Sequence, residues 1–153
     1  MEGLERIVRE HPFFAGLDDN FLALVCGCAK NVVFQAGQHL FHEGEPADQF
    51  YLLRHGRVGL EISAPGRGAV SFQTLVAGEI VGVSWLFPPY RWTYDARATE
   101  QVRAIGIDAT CLRRKCDTDP AFGYAMMMRF VPVLVDRLQA TRLQALDVYG
   151  RSS

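Results

Sequence analysis

The residues best suited to ligand chemistry lie between positions 78 and 93. An apolar strand ends at Gly78, Glu79 follows, and a short apolar turn of helix is expected after Ile80 begins the next apolar run. Backbone amides exposed by such a turn can face an anion. Arg91 then follows on a segment stiffened by two prolines and three aromatic residues. Because its planar guanidinium donates two parallel hydrogen bonds, arginine fits a phosphate best.

Glu79 suits another part of the same ligand. An ionised carboxylate only accepts hydrogen bonds, so it favours a sugar hydroxyl over a phosphate. The turn, the acid and the arginine together predict a site for a small phosphate that carries a ribose. Alternatively, Arg91 could pair with Asp95 or Glu79 at the rim of a barrel. The nearby large aromatic residues could be core or lid residues instead of platforms for a base; they are Trp85, Phe87 and Trp92.

Catalysis has no candidate residues. The sequence contains no nucleophile elbow, no P-loop and no H-E-x-x-H motif. The carboxylates of Asp117, Asp119 and Asp136 are interpreted as caps and surface charges, because their spacing suggests no paired acid and base. We therefore expect a binding protein and not an enzyme.

A metal site within a β-barrel is a further alternative, with His39, His42 and Glu43 as its candidates. Such a site needs two histidines two residues apart, so that both side chains point inward. His39 and His42 are three apart, which on a regular strand places them on opposite faces. The sequence therefore predicts no metal and no cofactor.

Four cysteines occur, and their spacing fits no structural zinc site. Cys26 and Cys28 stand two apart on a predicted helix, so their side chains point about 200° apart. Cys111 and Cys116 flank a cluster of basic residues. We expect buried, inert thiols with no metal and no regulatory disulfide. A thiol-based redox sensor at Cys26 and Cys28 is the weaker alternative.

The elements that must position the site follow the order helices, strands, helices. Apolar spacing predicts a helix over residues 2–10, which Pro12 ends, and a second helix after an N-cap at Asp18. Between residues 31 and 107 the apolar period shifts toward two, with turn residues about every ten positions. The expected buried face of the second helix is Phe21, Leu22, Val25 and Ala29. One expected half-buried strand alternates Val58, Leu60 and Ile62 with Arg57, Gly59 and Glu61.

A long helix is predicted from about residue 118 to residue 149, with a kink at Pro132. Its apolar residues alternate spacings of three and four, which is a heptad seam. Because one small barrel cannot cover so long a seam, we expect a homodimer through this helix. The seam consists of Tyr124, Met127, Val131, Leu134, Leu138, Thr141, Ala145 and Val148.

The predicted fold is mainly β with flanking helices. We expect an antiparallel, jelly-roll-like β-roll of about eight strands, two short N-terminal helices and a long C-terminal helix. Residues 1–153 would form one domain, with a helix and β-roll core over 12–108 and C-terminal helices over 109–149. The net charge of −1 argues against nucleic acid or a membrane surface as partner. A signal peptide and an apolar run of membrane-spanning length are both absent, so we expect a cytoplasmic location.

The segments 41–48 and 50–58 resemble the early strands of cyclic-nucleotide-binding domains, the family of the catabolite activator protein (Crp/Fnr-like), of cyclic-nucleotide-dependent kinases and of gated channels. Residues 78–91 fall where that family has its phosphate-binding cassette. The segment 137–141 is similar to the part of the catabolite activator's long helix that reaches the nucleotide. Between Glu79 and Arg91 this chain is a couple of residues longer than the family pattern.

The resemblance implies a role for each matching residue. Glu79 would accept from the ribose 2′-hydroxyl, with the backbone of Gly78 and Ile80 near the sugar-phosphate. Arg91 would pair with the cyclic phosphate, and Arg137 would support that end of the ligand. Three further implied ligand contacts are Trp92, Thr93 and Thr141, the last of which would meet the base.

The resemblance implies a regulatory sensor for a purine 3′,5′-cyclic monophosphate, cAMP or cGMP. The chain ends four residues after Tyr149, so we expect no helix-turn-helix module and no direct DNA binding. Its output would then be contact with a protein effector. The alternative is a degenerate domain without a ligand, acting as a dimeric interaction module, whose pocket would be filled by Trp85 or Trp92.

Overall fold

The computed structural model describes the backbone of residues 2–152 and the side chains of residues 3–140. The helices are α1 (Glu2–Glu10), α2 (Asp19–Cys26), α3 (Ala109–Thr118) and α4 (Pro120–Ser152), with short 3₁₀ turns at Pro12–Phe14 and Ser84–Leu86. The strands are β1 (Ala29–Phe34), β2 (His39–Phe41), β3 (Gln49–His55), β4 (Val58–Ala64), β5 (Gly68–Leu75), β6 (Ile80–Val81), β7 (Asp95–Ala98) and β8 (Val102–Asp108).

The eight strands form two four-stranded antiparallel sheets, one in the order β1-β8-β3-β6 and the other in the order β2-β7-β4-β5. The inner side chains of both sheets form one buried apolar core. This arrangement confirms the predicted β-roll with N-terminal helices and a long C-terminal helix. The cassette segment runs from the end of β5, through β6, to the start of β7, so it passes from one sheet to the other and back.

The N-terminal helices begin where the sequence places them. The Asp18 carboxylate caps α2 by accepting from the Asn20 N–H at 2.8 Å. Leu22 and Val25 are buried, as expected. Ala29 was expected on the same helical face, and that expectation is wrong: α2 ends at Cys26, and Ala29 is the first residue of β1.

The end of β4 departs from the predicted pattern of burial. Val58 and Leu60 face the core, and β4 pairs with β7 in regular register from Val58 to Glu61. The register against β5 shifts between Leu60 and Glu61, because β5 has one extra residue there, so the alternation of β4 itself is unchanged. Ile62 is nevertheless 43% exposed, and Glu61 is 4% exposed, where Arg97 binds it through three hydrogen bonds.

Helix α4 covers the roll with its first half. The Asp119 carboxylate accepts from the Phe122 N–H at 3.2 Å and Pro120 is the first helical residue, two features typical of a helix start. Phe122, Met126 and Phe130 are buried against the roll. Each such side chain contributes about 1.5–3 kcal/mol by leaving water. Beyond Phe130 the helix continues through Pro132 to residue 152.

The expectation of unbridged, inert thiols is wrong for one pair. Cys28 and Cys111 form a disulfide, with Cα atoms 5.8 Å apart. Spacing along the chain does not show this pair, because β1 pairs with β8, and this pairing brings residue 28 beside the start of α3. Cys26 and Cys116 are free, and burial raises the pKa of the Cys116 thiol to about 11, which keeps it protonated.

Candidate functional site

The turn between β5 and β6 is fixed by a set of short hydrogen bonds. The Glu79 Oε2 atom accepts from the Val76 N–H at 2.7 Å, and the Glu79 N–H donates to the Val76 carbonyl at 3.1 Å. On the core side, the Gly78 N–H donates to the Leu53 carbonyl and the Leu53 N–H donates to the Glu79 carbonyl, both at 2.9 Å. Gly78 has φ +93°, a conformation that favours glycine. The glycine and the acid are therefore held in one defined geometry.

The buried side chain of His11 supports this turn from the N-terminal side. Its Nε2 atom lies 2.9 Å from the Leu53 carbonyl, which also accepts from Gly78. Its Nδ1 atom accepts from the Phe13 N–H at 3.2 Å, so the Nε2 atom carries the proton. Burial lowers the pKa of His11, the Leu53 carbonyl opposes that shift, and Arg54 adds to it. The neutral imidazole thus joins the 3₁₀ turn at Pro12–Phe14 to β3.

Arg137 reaches the same turn from helix α4. Its Nη2 atom donates to the Ile80 carbonyl, and its guanidinium is half-buried. Burial lowers the pKa of Arg137, while the nearby Tyr94 and Glu79 oppose that shift. The guanidinium still carries its charge at neutral pH, because arginine does not lose its proton in proteins. A cation from α4 and an acid from the turn are thus neighbours.

These residues enclose a cavity of about 220 Å³ between the turn and α4. Its polar groups are two carboxylates, one guanidinium and one amide, a mixture suited to hydroxyl groups and one anionic group. Of the residues predicted for the site, the cavity brings together Gly78, Glu79, Ile80 and Arg137. The other lining residues are Phe13, Gln73, Val133 and Asp136.

Those four lining residues, and Tyr94 beside Arg137, were not predicted from the sequence. Asp136 was interpreted only as a cap or surface charge. The sequence feature that could have identified Asp136 as a lining residue is its position directly before Arg137, although neighbouring helical residues usually point in different directions. Phe13 and Gln73 come from the first 3₁₀ turn and from β5, and nothing in their local sequence marks them. The side chain of Thr141 lies outside the described residues.

Trp85 fills the core beneath the middle of the cassette. It is 1% exposed, its ring stacks on Phe50 with centroids 4.6 Å apart, and Phe130 of α4 packs edge-on against it. The Trp85 carbonyl accepts from Arg113 Nη1 at 2.7 Å. Trp85 therefore joins the 3₁₀ turn Ser84–Leu86 to both C-terminal helices. It is a core residue, which was one of the roles considered for the large aromatic residues of this segment, and not a platform for a base.

Arg91 lies apart from the cavity, on the exposed surface. Its Nη1 atom donates to the Gly44 carbonyl at 2.8 Å. The backbone around it pairs with the turn after β2: the Gly44 N–H donates to the Trp92 carbonyl at 2.8 Å, and the Trp92 N–H donates to the Glu45 carbonyl at 3.0 Å. Among the described residues, neither Asp95 nor Glu79 forms an ion pair with Arg91.

Trp92 and Thr93 point in different directions. Trp92 is 3% exposed, and its ring stacks on Phe41 with centroids 3.9 Å apart. A Cβ atom on Gly82 would lie 2.5 Å from the Trp92 ring, so the glycine makes space for the indole. Thr93 is exposed. The insertion of Trp92 into the core leaves Arg91 and Thr93 on the outer side of the segment.

The two histidines that were expected on opposite faces lie together, and that expectation is wrong. The rings of His39 and His42 stack with centroids 4.1 Å apart. The reason is local: the β2–β7 register shifts between His39 and Phe41, and His42 lies beyond the last residue of β2. The alternation of a regular strand therefore does not apply to this pair.

The fold and this turn agree with a single family. Residues 31–119, more than half of the chain, match the family described as cyclic nucleotide-binding domain. The chain belongs to that family, as the resemblance of segments 41–58 and 78–91 implies.

Two relatives contain the domain within longer proteins. The chain is 29% identical over 143 residues to cyclic nucleotide-gated ion channel 18 of Arabidopsis thaliana, covering 90% of this chain and 19% of the channel. It is 26% identical over 146 residues to the CRP-like cAMP-activated global transcriptional regulator of Mycobacterium tuberculosis, covering 95% of this chain and 63% of the regulator. The chain thus spans less than two thirds of the length of either relative.

Solved structures give the same result. A protein of Geobacter metallireducens described as a cyclic nucleotide-binding protein superposes with a TM-score of 0.79 at 33% identity, covering 90% of this chain and 99% of that one. The regulatory domain of Toxoplasma gondii PKA, solved with cAMP, superposes with a TM-score of 0.63 at 18% identity over 74% of this chain and 43% of that one, which shows the shared fold. Within the described residues, no helix combines the length and apolar character needed to cross a membrane.

Proposed function

We propose that this domain senses a purine 3′,5′-cyclic monophosphate, cAMP or cGMP, as a regulatory signal. The observation that carries the proposal is the cavity in which Gly78, Glu79 and Ile80 meet Arg137. The polar groups of the cavity match a ribose and one anionic group, and the family membership of the chain favours a cyclic nucleotide. The role is binding, with no catalytic step.

In this proposal Glu79 accepts from the ribose 2′-hydroxyl. The bond from the Val76 N–H already orients its carboxylate, so little side-chain freedom is lost when the ligand arrives. The backbone of Gly78 and Ile80 lines the sugar-phosphate, and Arg137 supports this end from α4. Thr141, one helical turn further along, is the proposed contact to the base.

Arg91 is the proposed ligand of the cyclic phosphate, and it must leave the Gly44 carbonyl to reach it. Its present bond is to a neutral acceptor, whereas a phosphate offers a charge-assisted pair that is roughly twice as strong. Because the side chain is exposed, the change removes no buried contact. Ligand binding would therefore draw the Arg91 side chain and the exposed Thr93 toward the cavity, while Trp92 stays stacked on Phe41.

Calorimetric titration of the purified protein with cAMP, cGMP and 5′-AMP tests the proposal. We expect saturable binding of one cyclic nucleotide per chain. The control ligand 5′-AMP has the base and sugar of cAMP with an opened phosphate ring, and we expect it to bind at least about tenfold more weakly, a difference of about 1.4 kcal/mol. No heat with any cyclic nucleotide at millimolar concentration would overturn the proposal and would favour a ligand-free interaction module.

We further propose that the domain is a homodimer through α4 and passes its signal to a protein effector, without direct DNA contact. Apolar side chains of α4 that the roll does not cover support the dimer; they are Tyr124, Met127, Met128, Val131, Leu134, Val135 and Leu138. They include the described members of the predicted heptad seam. Monomeric proteins rarely expose a continuous apolar strip of this kind.

A double change of Leu134→Glu and Leu138→Glu tests the dimer. Charges placed in an apolar seam lose their hydration, so the variant should be monomeric by light scattering. The matched control is Ser63→Glu with Thr74→Glu, exposed positions on β4 and β5, which should stay dimeric. A wild-type protein that is monomeric at high concentration would disprove the dimer.

A further inference from the structure

A cluster outside the nucleotide cavity brings together His39, His42 and Asp95. His39 begins β2, His42 lies directly after it, and Asp95 begins the neighbouring β7. One possible ligand atom from each of the three side chains lies within 4.8 Å of the other two. His39 and Asp95 are half-buried and His42 is exposed, so an ion could enter from solvent. The two imidazole rings stack at 4.1 Å between centroids.

The backbone around this cluster is held by side-chain bonds. The Asp95 Oδ1 atom accepts from the Glu43 N–H at 2.7 Å, which fixes one end of the carboxylate. The His42 N–H donates to Glu45 Oε1 at 2.6 Å, which fixes the start of the turn that carries the second ring. Bonds of this kind orient the ligands of protein metal sites and limit the rearrangement that binding requires.

The charge around the cluster also permits a cation. Arg97 is opposite His39 in the strand register, but its guanidinium is bound by the Glu61 carboxylate at 2.7 and 3.2 Å. That pair neutralises the charge of Arg97. Asp95 contributes a negative charge to the cluster, and the side chains of Glu43 and Glu45, in the turn that follows His42, add further negative charge nearby.

We propose that His39, His42 and Asp95 bind a divalent first-row transition metal of the Zn²⁺ class. Imidazole nitrogen and carboxylate oxygen are the donors that such ions select, whereas Mg²⁺ and Ca²⁺ prefer oxygen alone. Three protein ligands leave at least one position for water. The 4.8 Å spread of the ligand atoms closes by small side-chain rotations, which the exposed His42 ring can make.

The proposed metal site lies next to the contact of Arg91, because the Gly44 carbonyl that accepts from Arg91 follows His42 by two residues. The proposal is nevertheless independent of the nucleotide, because the metal ligands are not among the residues that line the cavity beside Arg137. Metal binding can be measured without any nucleotide. Failure of one proposal therefore leaves the other standing.

The test uses the chain of residues 1–153, without a tag and with the Cys28–Cys111 disulfide intact. Zn²⁺ is titrated by calorimetry, and Co²⁺ is used as a spectroscopic probe of the coordination. We expect one ion per chain, visible Co²⁺ bands of nitrogen and oxygen coordination, and no thiolate-to-metal band in the near ultraviolet. The last observation separates this site from Cys26 and Cys116, which carry the free thiols.

Two variants remove single ligands. His42→Gln and Asp95→Asn should each weaken Zn²⁺ binding about tenfold or more. The amide introduced by Asp95→Asn keeps an oxygen that can accept from the Glu43 N–H, so the metal-free thermal unfolding temperature should stay close to that of the wild type. The control His55→Gln alters an exposed histidine at the end of β3, outside the cluster, and should leave the affinity unchanged.

Three results would overturn the proposal. They are the absence of stoichiometric Zn²⁺ binding to the wild type, equal affinity in wild type, His42→Gln and Asp95→Asn, and a thiolate band that disappears in a Cys26→Ser or Cys116→Ser variant. The Asp95→Asn comparison remains informative even if His42→Gln disturbs the turn.

Discussion

The two ends of the cassette both have a bonded backbone, and they differ in how their side chains are held. At the Gly78 end, Leu53 binds the turn through two backbone hydrogen bonds, His11 shares the Leu53 carbonyl, and Arg137 reaches in from α4. At the Arg91 end, backbone hydrogen bonds also join the segment to the turn after β2, but the exposed Arg91 guanidinium is described with one bond, to the Gly44 carbonyl. The Gly78 end is built in advance, whereas the Arg91 side chain is easy to redirect.

This difference fits the two parts of a cyclic nucleotide. A neutral ribose gives weak individual hydrogen bonds, so its contacts must be oriented before binding to contribute affinity. A phosphate attracts an arginine strongly enough to displace it from a neutral acceptor. Under the proposed function, the Gly78 end would recognise the sugar in place, and movement of the Arg91 side chain would accompany binding of the phosphate.

The largest expected effect on ligand binding belongs to Arg91→Ala. A hydrogen bond to a charged group contributes about 1.5–3 kcal/mol, so the affinity for the cyclic nucleotide should fall roughly ten- to hundredfold. Stability should hardly change, because the side chain is exposed and only a surface bond to Gly44 is lost. Calorimetry and thermal unfolding measure the two quantities.

Arg67→Ala is the matched control, since Arg67 is an exposed arginine in the turn between β4 and β5. It should change neither affinity nor stability. Equal nucleotide affinity in wild type and Arg91→Ala would show that Arg91 is not the phosphate ligand, and the contrast between the two ends would then lose its functional meaning.

A smaller effect, on both stability and affinity, is expected from Gly78→Ala. The φ of +93° disfavours alanine by about 1–2 kcal/mol, although the new Cβ atom would meet only Pro12 at an ordinary 3.8 Å. Relief of this strain would shift the Gly78 end, so nucleotide affinity should fall as well. Chemical denaturation gives the free energy of unfolding, and calorimetry gives the affinity.

Gly37→Ala separates these two consequences. Gly37 has φ +88°, and an added Cβ atom there meets nothing within 4 Å, so its backbone penalty is similar. It lies in the turn before β2, outside the residues that line the cavity. Similar losses of stability in both variants, with reduced affinity only in Gly78→Ala, would support a pre-formed sugar site. Reduced affinity in both would contradict it.

The sequence predicted the fold well because the signals for it are local. The Asp18 cap, the shift to a period of two after residue 31 and the heptad spacing of α4 each depend on neighbours in the chain. The turn at Gly78 and Glu79 was also predictable, since a glycine and an acid end an apolar strand. The structure places both residues in the cavity together with Arg137.

What could not be predicted depends on register and on distant contacts. A bulge after His39 brought together two histidines that a regular strand would separate. The Cys28–Cys111 disulfide required the pairing of β1 with β8. In each case a shift of register, or a pairing between strands far apart in the chain, decided which side chains met.

The smallest expected effect is a pH dependence of stability that His11 produces at the Gly78 end. Burial lowers the pKa of His11 below its ordinary value of 6.5, so the folded protein takes up this proton less readily than the unfolded chain. As the pH falls below about 6.5, the unfolded state gains protons first, and the free energy of unfolding should decrease, by at most about 1.4 kcal/mol per pH unit. Protonation also turns the Nδ1 atom into a donor and breaks its bond from the Phe13 N–H.

The variant His11→Gln isolates this contribution, because glutamine does not titrate and every other group is common to both proteins. Above neutral pH it should be less stable than the wild type, since it loses packing in a buried position. Between about pH 6.5 and pH 5 the difference in unfolding free energy should shrink, because only the wild type is penalised by the proton. Urea denaturation at several pH values measures the difference. A gap that stays constant or widens on acidification would show that His11 is not held neutral at the Gly78 end, and the support of this turn would then depend on Leu53 and Arg137 alone.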